Sequence, residues 1–219
     1  MIVIGLSDVH GDTAFIRKMG DVLSRADLVL LAGDITHFAH ASQAKRVVEA
    51  VCRYNSCVLA VPGNCDHPDV DKWLTREEIN LHPESRIKEN LGFAGLGGSI
   101  YTPFNTPFEY SESQAARFLS ETAAGLPENK PFVLVSHQPP SNTDCDRLRS
   151  GKHVGSRELR RFIETRQPLV CFTGHIHEAV TTDRIGRTWI INPGPLWRGS
   201  YAYAEINAQK AFVEIRPVF

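Results

Sequence analysis

The sequence predicts an α/β fold, and two patterns carry that expectation. Short apolar runs alternate with helical-period segments through the first half, and strand patterns dominate the last third. Residues 2–6 (Ile-Val-Ile-Gly-Leu) read as a buried strand. Residues 12–26 place Phe15, Ile16, Met19, Val22 and Leu23 on one helical face. A second buried strand is expected at 28–31, a second helix at 39–53, and a third strand at 57–61, closed by Pro62-Gly63. This βαβαβ order predicts a parallel sheet with crossover helices, which places a ligand at the carboxyl ends of the strands.

The middle of the chain is less regular. Residues 86–100 hold a turn signal at Asn90-Leu91-Gly92, followed by Gly95, Gly97 and Gly98. Residues 102–108 (Thr-Pro-Phe-Asn-Thr-Pro-Phe) form a proline-bearing aromatic loop. Residues 111–124 read as a helix with Ser111 as its cap. A buried strand at 132–135 and a helix at 156–165 precede strand patterns at 169–172, 179–185, 188–191, 201–206 and 212–215. The alternation in 201–206 fits a sheet with one solvated face. With no internal repeat, low-complexity tract or linker, a single domain over 1–219 is expected.

Composition narrows the function classes. With 24 basic against 25 acidic residues and a formal net charge of -1, bulk electrostatic capture of nucleic acid or an anionic membrane is not expected, while a local positive cleft stays open. The 22% charged and 42% hydrophobic residues exclude disordered, collagen-like and membrane-spanning classes. Five cysteines without paired spacing predict free thiols in a reducing cytoplasm. The apolar start is too short and lacks the basic flank of a signal peptide, so a cytoplasmic location is expected. Nine histidines are the one compositional oddity.

Their placement is informative. Asp8 and His10 follow the first strand, Asp34 the second and Asn64 the third; His137 follows the strand at 132–135, and His175 and His177 follow that at 169–172. A parallel sheet gathers such strand-end residues at one rim. Mixed imidazole and oxygen donors suit Mn, Fe or Zn better than thiolate-preferring metals or all-oxygen Mg and Ca sites. Glycines precede Asp34, Asn64 and His175, which lets the backbone turn beneath a metal.

The set Asp8-Val9-His10, Gly33-Asp34, Gly63-Asn64, Ser136-His137 and Gly174-His175-Ile176-His177 resembles the calcineurin-like metallophosphoesterase superfamily, in particular its small prokaryotic phosphoesterases. The resemblance implies a four-layer αββα sandwich of mixed sheets with a dinuclear metal site at the strand carboxyl ends. It implies that Asp8, His10 and His177 hold one divalent ion, that Asn64, His137 and His175 hold the other, and that Asp34 bridges them, with Mn favoured among the candidate metals. The implied reaction is hydrolysis of a phosphodiester or phosphomonoester by a metal-bridging hydroxide, since paired divalent ions generate a nucleophile near neutral pH and neutralise phosphoryl charge. The substrate would be a small phosphoester, nucleotide-like ones among the candidates.

Two departures bear on mechanism. The superfamily pattern Gly-Asn-His places a general acid where this sequence has Cys65, and the Asp that often orients that His is replaced by His37. Cys65 reads either as a small structural residue under its loop or as a poor acid, since a thiol hydrogen-bonds weakly. His37 and His67 are the candidates to take over. Their absence from the mechanism would leave a preference for acidic leaving groups. Arg198, after Asn192-Pro-Gly-Pro-Leu-Trp197, is a candidate to fork onto phosphate or to form a surface ion pair. Asn192 reads as a turn residue, Asp66 as a loop-organising carboxylate, and His40, His82 and His153 as surface or helix-face residues. The basic residues in 147–152 could steer an anion or simply be solvated. The loop bearing Phe104 and Phe108 could cover a sheet edge or form a stacking wall of a cleft. A nuclease and a protein-interaction scaffold, the latter like the retromer subunit of this superfamily, are the alternative functions. Neutral charge counts against the first, and complete ligand positions against the second.

Overall fold

The computed structural model describes residues 1–219. The first half runs β1 (Ile2–Leu6), α1 (Ala14–Lys18), α2 (Gly20–Ser24), β2 (Leu28–Ala32), α3 (Ala41–Cys52), β3 (Val58–Val61), α4 (Pro68–Arg76), β4 (Ser85–Lys88) and β5 (Leu91–Leu96). It continues with β6 (Ser99–Ile100), β7 (Glu109–Tyr110), α5 (Glu112–Ala124), β8 (Phe132–Ser136), α6 (Arg157–Arg166) and β9 (Val170–Phe172). The strands β10 (Thr181–Ile185), β11 (Thr188–Asn192), β12 (Ser200–Ile206) and β13 (Ala211–Pro217) complete it.

These strands build two large mixed sheets, in the orders β13-β12-β1-β2-β3 and β10-β11-β9-β8-β5-β4. Within them β1-β2-β3 and β5-β8-β9-β11 are parallel, and the outer neighbours are antiparallel. The strand β2 shows why the sheets are stacked rather than free. All five of its residues are buried, as expected for a strand covered on both faces. Val29 and Leu31 enter a core shared with α1 to α4, whereas Leu28, Leu30 and Ala32 enter the core between the two sheets. A third core joins the second sheet to α5 and α6 through Leu134, Cys171, Leu119 and Ile163. Three cores mean four layers, helices outside and sheets inside. Each buried leucine in them contributes about 1.5–3 kcal/mol.

The helix expected over 12–26 is interrupted: α1 and α2 are separate short helices that meet at Met19. Gly20, a poor helix former, lies flat against Tyr54, where a Cβ would come within 2.7 Å of the ring. The helix α4 was not expected from the sequence, although Pro68 at its first turn, Asp69 and Asp71 near its N-terminus, and Val70, Trp73 and Leu74 on one buried face are signals for it. Ser111 caps α5 in a reciprocal box with Gln114. His82, expected on the surface, is buried, because it fills the space between Phe108 and Phe118. No helix is long and apolar enough to cross a membrane.

Candidate metal centre

The carboxyl ends of β1, β2, β3, β8 and β9 meet at one end of the sandwich, and every strand-end residue singled out in the sequence lies in the loops there. The loops approach closely. Gly33 adopts φ +88, a turn that side chains resist, and a Cβ there would collide with the His137 ring. At Gly63 the requirement is space rather than a turn, since a Cβ would collide with the Asp34 backbone nitrogen and carboxylate. Asp8, His10, Asp34 and His175 are themselves left-handed, with φ of 51, 49, 46 and 66. For residues with a Cβ this costs on the order of 1 kcal/mol or more each, strain of the kind concentrated at functional sites.

Side chains from both sheets interlock. His177 Nε2 lies 3.1 Å from Asp8 Oδ1 and 3.3 Å from His10 Nε2. His137 Nε2 lies 2.9 Å from Asn64 Oδ1 and 3.4 Å from Asp34 Oδ1. The donors of Asp8, His10 and His177, of Asp8, Asp34 and His137, and of His10, Asp34 and Cys65 form three groups, each within 4.8 Å. His175 stands beside them with its ring 5.1 Å from that of His137.

Hydrogen bonding tests whether these residues fit a cation. His137 Nδ1 faces the Ala32 carbonyl at 2.9 Å, which can only accept, so Nδ1 carries a proton and, in the neutral ring that binds a metal, Nε2 offers a lone pair. Thr106 Oγ1 donates to Glu109 and therefore accepts from Asn64 Nδ2 at 3.0 Å, which turns Asn64 Oδ1 toward that lone pair. His10 repeats the pattern: Nδ1 faces the Thr36 carbonyl, and Nε2 faces His177 Nε2 and the Asp34 carboxylate. Between His137 and Asn64 a lone pair thus faces a lone pair, an arrangement a cation relieves, and the outer hydrogen bonds orient the rings as in metal sites. The donor set fits divalent metals.

Burial pushes the pKa of His175 down to about 4, with help from the adjacent His137, and burial also lowers that of His10. Both rings are therefore neutral, the metal-binding form. Burial alone would raise the pKa of Asp8, but the hydrogen bond to His177, with the neighbouring His137 and His177 rings and the Ser7 hydroxyl, holds it well below the usual carboxylate range; the His177 contact also raises His177 against its own burial. Burial and the Asp34 charge push the Cys65 thiol strongly up.

The surrounding shell assigns roles to several residues. Asp66 is buried and accepts from the N–H groups of Ile35, Thr36 and Gly63 and from the Thr36 hydroxyl, tying the Asp34 loop to the Asn64 loop as the sequence suggested. Burial and Asp34 raise its pKa to about 6 against those bonds. Asn192 does more than turn the chain. Buried at the end of β11, it donates to the carbonyls of Gly174 and Ile176 and shapes the His175 loop. Ser7, not singled out from the sequence, donates to Asp8 at 2.6 Å; only its place beside the strand-end Asp signals it. Cys65 is not simply tucked under its loop, because its sulfur faces His10 and Asp34.

The structure separates the other candidates. The His37 ring is exposed and meets the His10 ring edge-on at 5.3 Å. The His67 ring stacks on His40 at 4.3 Å, and no hydrogen bond or ring contact joins it to the cluster. Arg198 donates to the His177 carbonyl and reaches the edge of a cavity shared with His175 and His177. The aromatic loop divides its residues: Phe108 packs on His82 and Tyr110, while Phe104 is 79% exposed at the same cavity.

Residues 1–209 match the calcineurin-like phosphoesterase superfamily domain, and the chain belongs to that family, whose members are metallophosphoesterase hydrolases. Among its relatives, an uncharacterized protein of Methanocaldococcus jannaschii is 38% identical over 200 residues, covering 89% of this chain and 88% of its own. The 3′,5′-cyclic adenosine monophosphate phosphodiesterase of Haemophilus influenzae is 22% identical, over 87% of this chain and 69% of its own. A crystal structure from Thermus thermophilus superposes with a TM-score of 0.75 at 20% identity, covering 100% of this chain and 99% of its own. The αββα architecture is thus the family's.

Proposed function

We propose that residues 1–219 act as one domain, a dinuclear metal-dependent phosphoesterase of the cytoplasm that hydrolyses a small phosphodiester or phosphomonoester, with the diester favoured. The carrying observation is the clustering of imidazole and carboxylate ligand atoms at a strained strand-end rim. Asp8, His10 and His177 would hold one divalent ion, and Asn64, His137 and His175 the other, with Asp34 between them. Mn is favoured over Fe and Zn. Such ions supply a nucleophilic oxygen at neutral pH and neutralise charge on the phosphoryl group.

The protein's own contribution is positional. Asp66 and Asn192 hold the loops that carry the ligands, and Ser7 fixes the Asp8 carboxylate, leaving its other oxygen toward His177. Arg198 would bind a phosphoryl oxygen, a role supported by its bond to the His177 carbonyl and its position on the cavity wall. His37 is exposed above His10, where its ring can hold a proton for a departing alkoxide; His67 is engaged by His40 and is the weaker choice. A neutral Cys65 thiol supplies little acid strength, so aryl phosphodiesters, whose leaving groups need no proton, should be the best substrates.

Metal analysis of the purified protein, followed by assay of bis(4-nitrophenyl) phosphate and 4-nitrophenyl phosphate with Mn, tests this reading. About two ions per chain and faster diester turnover are expected. A protein that binds no divalent metal and turns over neither ester would refute it.

A further inference from the structure

The cavity next to His175 and His177 measures about 1030 Å³, at the top of the roughly 300–1,000 Å³ range of ligand pockets and far more than one phosphoryl group fills. Two features of its lining go unused by hydrolysis. Tyr101 and Phe104 stand 68% and 79% exposed on the 99–108 segment, whose backbone is braced by Glu109 through Thr102 and Thr106. The basic residues of 147–152, ambiguous in the sequence, form a tight hairpin along the same cavity. Leu148 N–H donates to Lys152 O at 2.9 Å, and Gly151 N–H to Leu148 O at 2.8 Å.

That hairpin is fixed from below. The buried Asp146 carboxylate accepts from the N–H groups of Asn142, Thr143 and Gly155, and His153 Nδ1 lies 2.7 Å away. Cations outnumber anions around the cavity: Arg149, Lys152, Arg157 and Arg198 against Glu112 and Glu178. Both glutamates are committed. Glu178 accepts the Arg149 N–H at 2.7 Å and faces its guanidinium, and Glu112 caps the start of α6 through Ser156, Arg157 and Glu158. No carboxylate pairs with Lys152 or Arg198. Arg198 lies at the metal end, so Lys152 is an unneutralised cation at a second place on the wall.

We propose that this cavity holds the organic part of a substrate carrying a second phosphate, with a flat ring against Tyr101 and Phe104 and the second phosphate on Lys152. The inference rests on the phosphoesterase reading and names its substrate class: a phosphoester whose ring-bearing alcohol is itself phosphorylated. The braced hairpin backbone fixes where Lys152 leaves the chain, and a second anion there contributes chiefly through binding.

Thymidine 5′-(4-nitrophenyl phosphate), with and without a 3′-phosphate, presents the same scissile bond and leaving group. The 3′-phosphate is expected to raise kcat/KM about tenfold, mainly through KM. Lys152→Ala should remove that advantage, leave turnover of the plain diester unchanged, and be rescued by Lys152→Arg. Equal kcat/KM for the two esters, or an equal fractional loss on both in Lys152→Ala, overturns the subsite. Calorimetric binding of thymidine 3′,5′-bisphosphate against thymidine 5′-phosphate reads the same subsite without turnover. A Lys152-dependent gap without hydrolysis of either ester keeps the subsite and rejects the phosphoesterase; no gap in a protein that hydrolyses both rejects the subsite alone.

Discussion

His82 makes the folded chain lose stability within a defined acid window. Its ring, 4% exposed, stands edge-on to Phe108 and Phe118 at centroid distances of 5.3 and 4.8 Å, and Nδ1 accepts the Gly97 N–H at 3.1 Å. Burial pushes its pKa from 6.5 down to about 4. As pH falls below 6.5, the unfolded chain therefore takes up a proton that the folded chain refuses. Stability present above that pH is lost progressively toward about pH 4. The gap of about 2.5 units, at about 1.36 kcal/mol each, amounts to roughly 3 kcal/mol. His82→Asn keeps an acceptor for Gly97 and abolishes the titration, while losing ring packing worth about 2–3 kcal/mol at every pH. Urea unfolding of both proteins in excess chelator, from about pH 7.5 to 4.5, isolates the proton effect, since other groups cancel in the difference. The variant should be less stable at the upper pH, with the gap narrowing by about 2.5 kcal/mol at the lower one. A gap that stays constant within about 0.5 kcal/mol would show that His82 does not titrate as its burial requires.

Three further outcomes are expected. Cys65→His, which puts an imidazole after Asn64, should raise turnover of an alkyl phosphodiester by about 10²-fold or more while changing an aryl diester little; a uniform change on both would mean that position 65 does not reach the leaving group. His37→Ala should cost more on the alkyl than on the aryl ester, and equal losses would remove His37 as a proton donor. Asn192→Ala leaves the Gly174 and Ile176 carbonyls without their donor and should weaken metal binding about 10–100-fold, read by competition with a chelating dye. Unchanged metal affinity would reduce Asn192 to a turn residue.

Local pattern made most of the scaffold legible. The fully apolar β2 and the capped α5 carry their own instructions in residues 28–32 and in Ser111 with Gln114. The rim was legible because ligand-type residues recur after successive strands, so topology alone brings Asp8, Asp34, Asn64, His137 and His175 together. What local pattern could not give was contact across long separations. His82 looks exposed until Phe108 and Phe118 close on it, and Asn192 looks like a turn residue until the Gly174 loop folds over its amide. The charge of Lys152 was visible, but its place beside a cavity and the commitment of both glutamates elsewhere depend on the folded hairpin. The break at Met19 escaped because the apolar face of 12–26 continues through it, whereas the packing of Gly20 on Tyr54 does not register as periodicity.

The rim joins strand ends from both sheets: Asp8, Asp34 and Asn64 belong to one, His137 and His177 to the other. Contacts such as Asp8 to His177 link positions 169 residues apart. Any cation held by members of both sets is therefore also a cross-link between the two layers. It acts like a clasp at one end of a book whose pages are otherwise held by apolar contact. Closing so long a loop restricts the unfolded chain strongly, and ligation to the folded state alone adds stability by mass action. Cohesion of the layers and occupancy of the rim then become one property: a chelator would act as a mild, directional denaturant, loosening the sandwich from the rim end while the far ends of the strands stay packed.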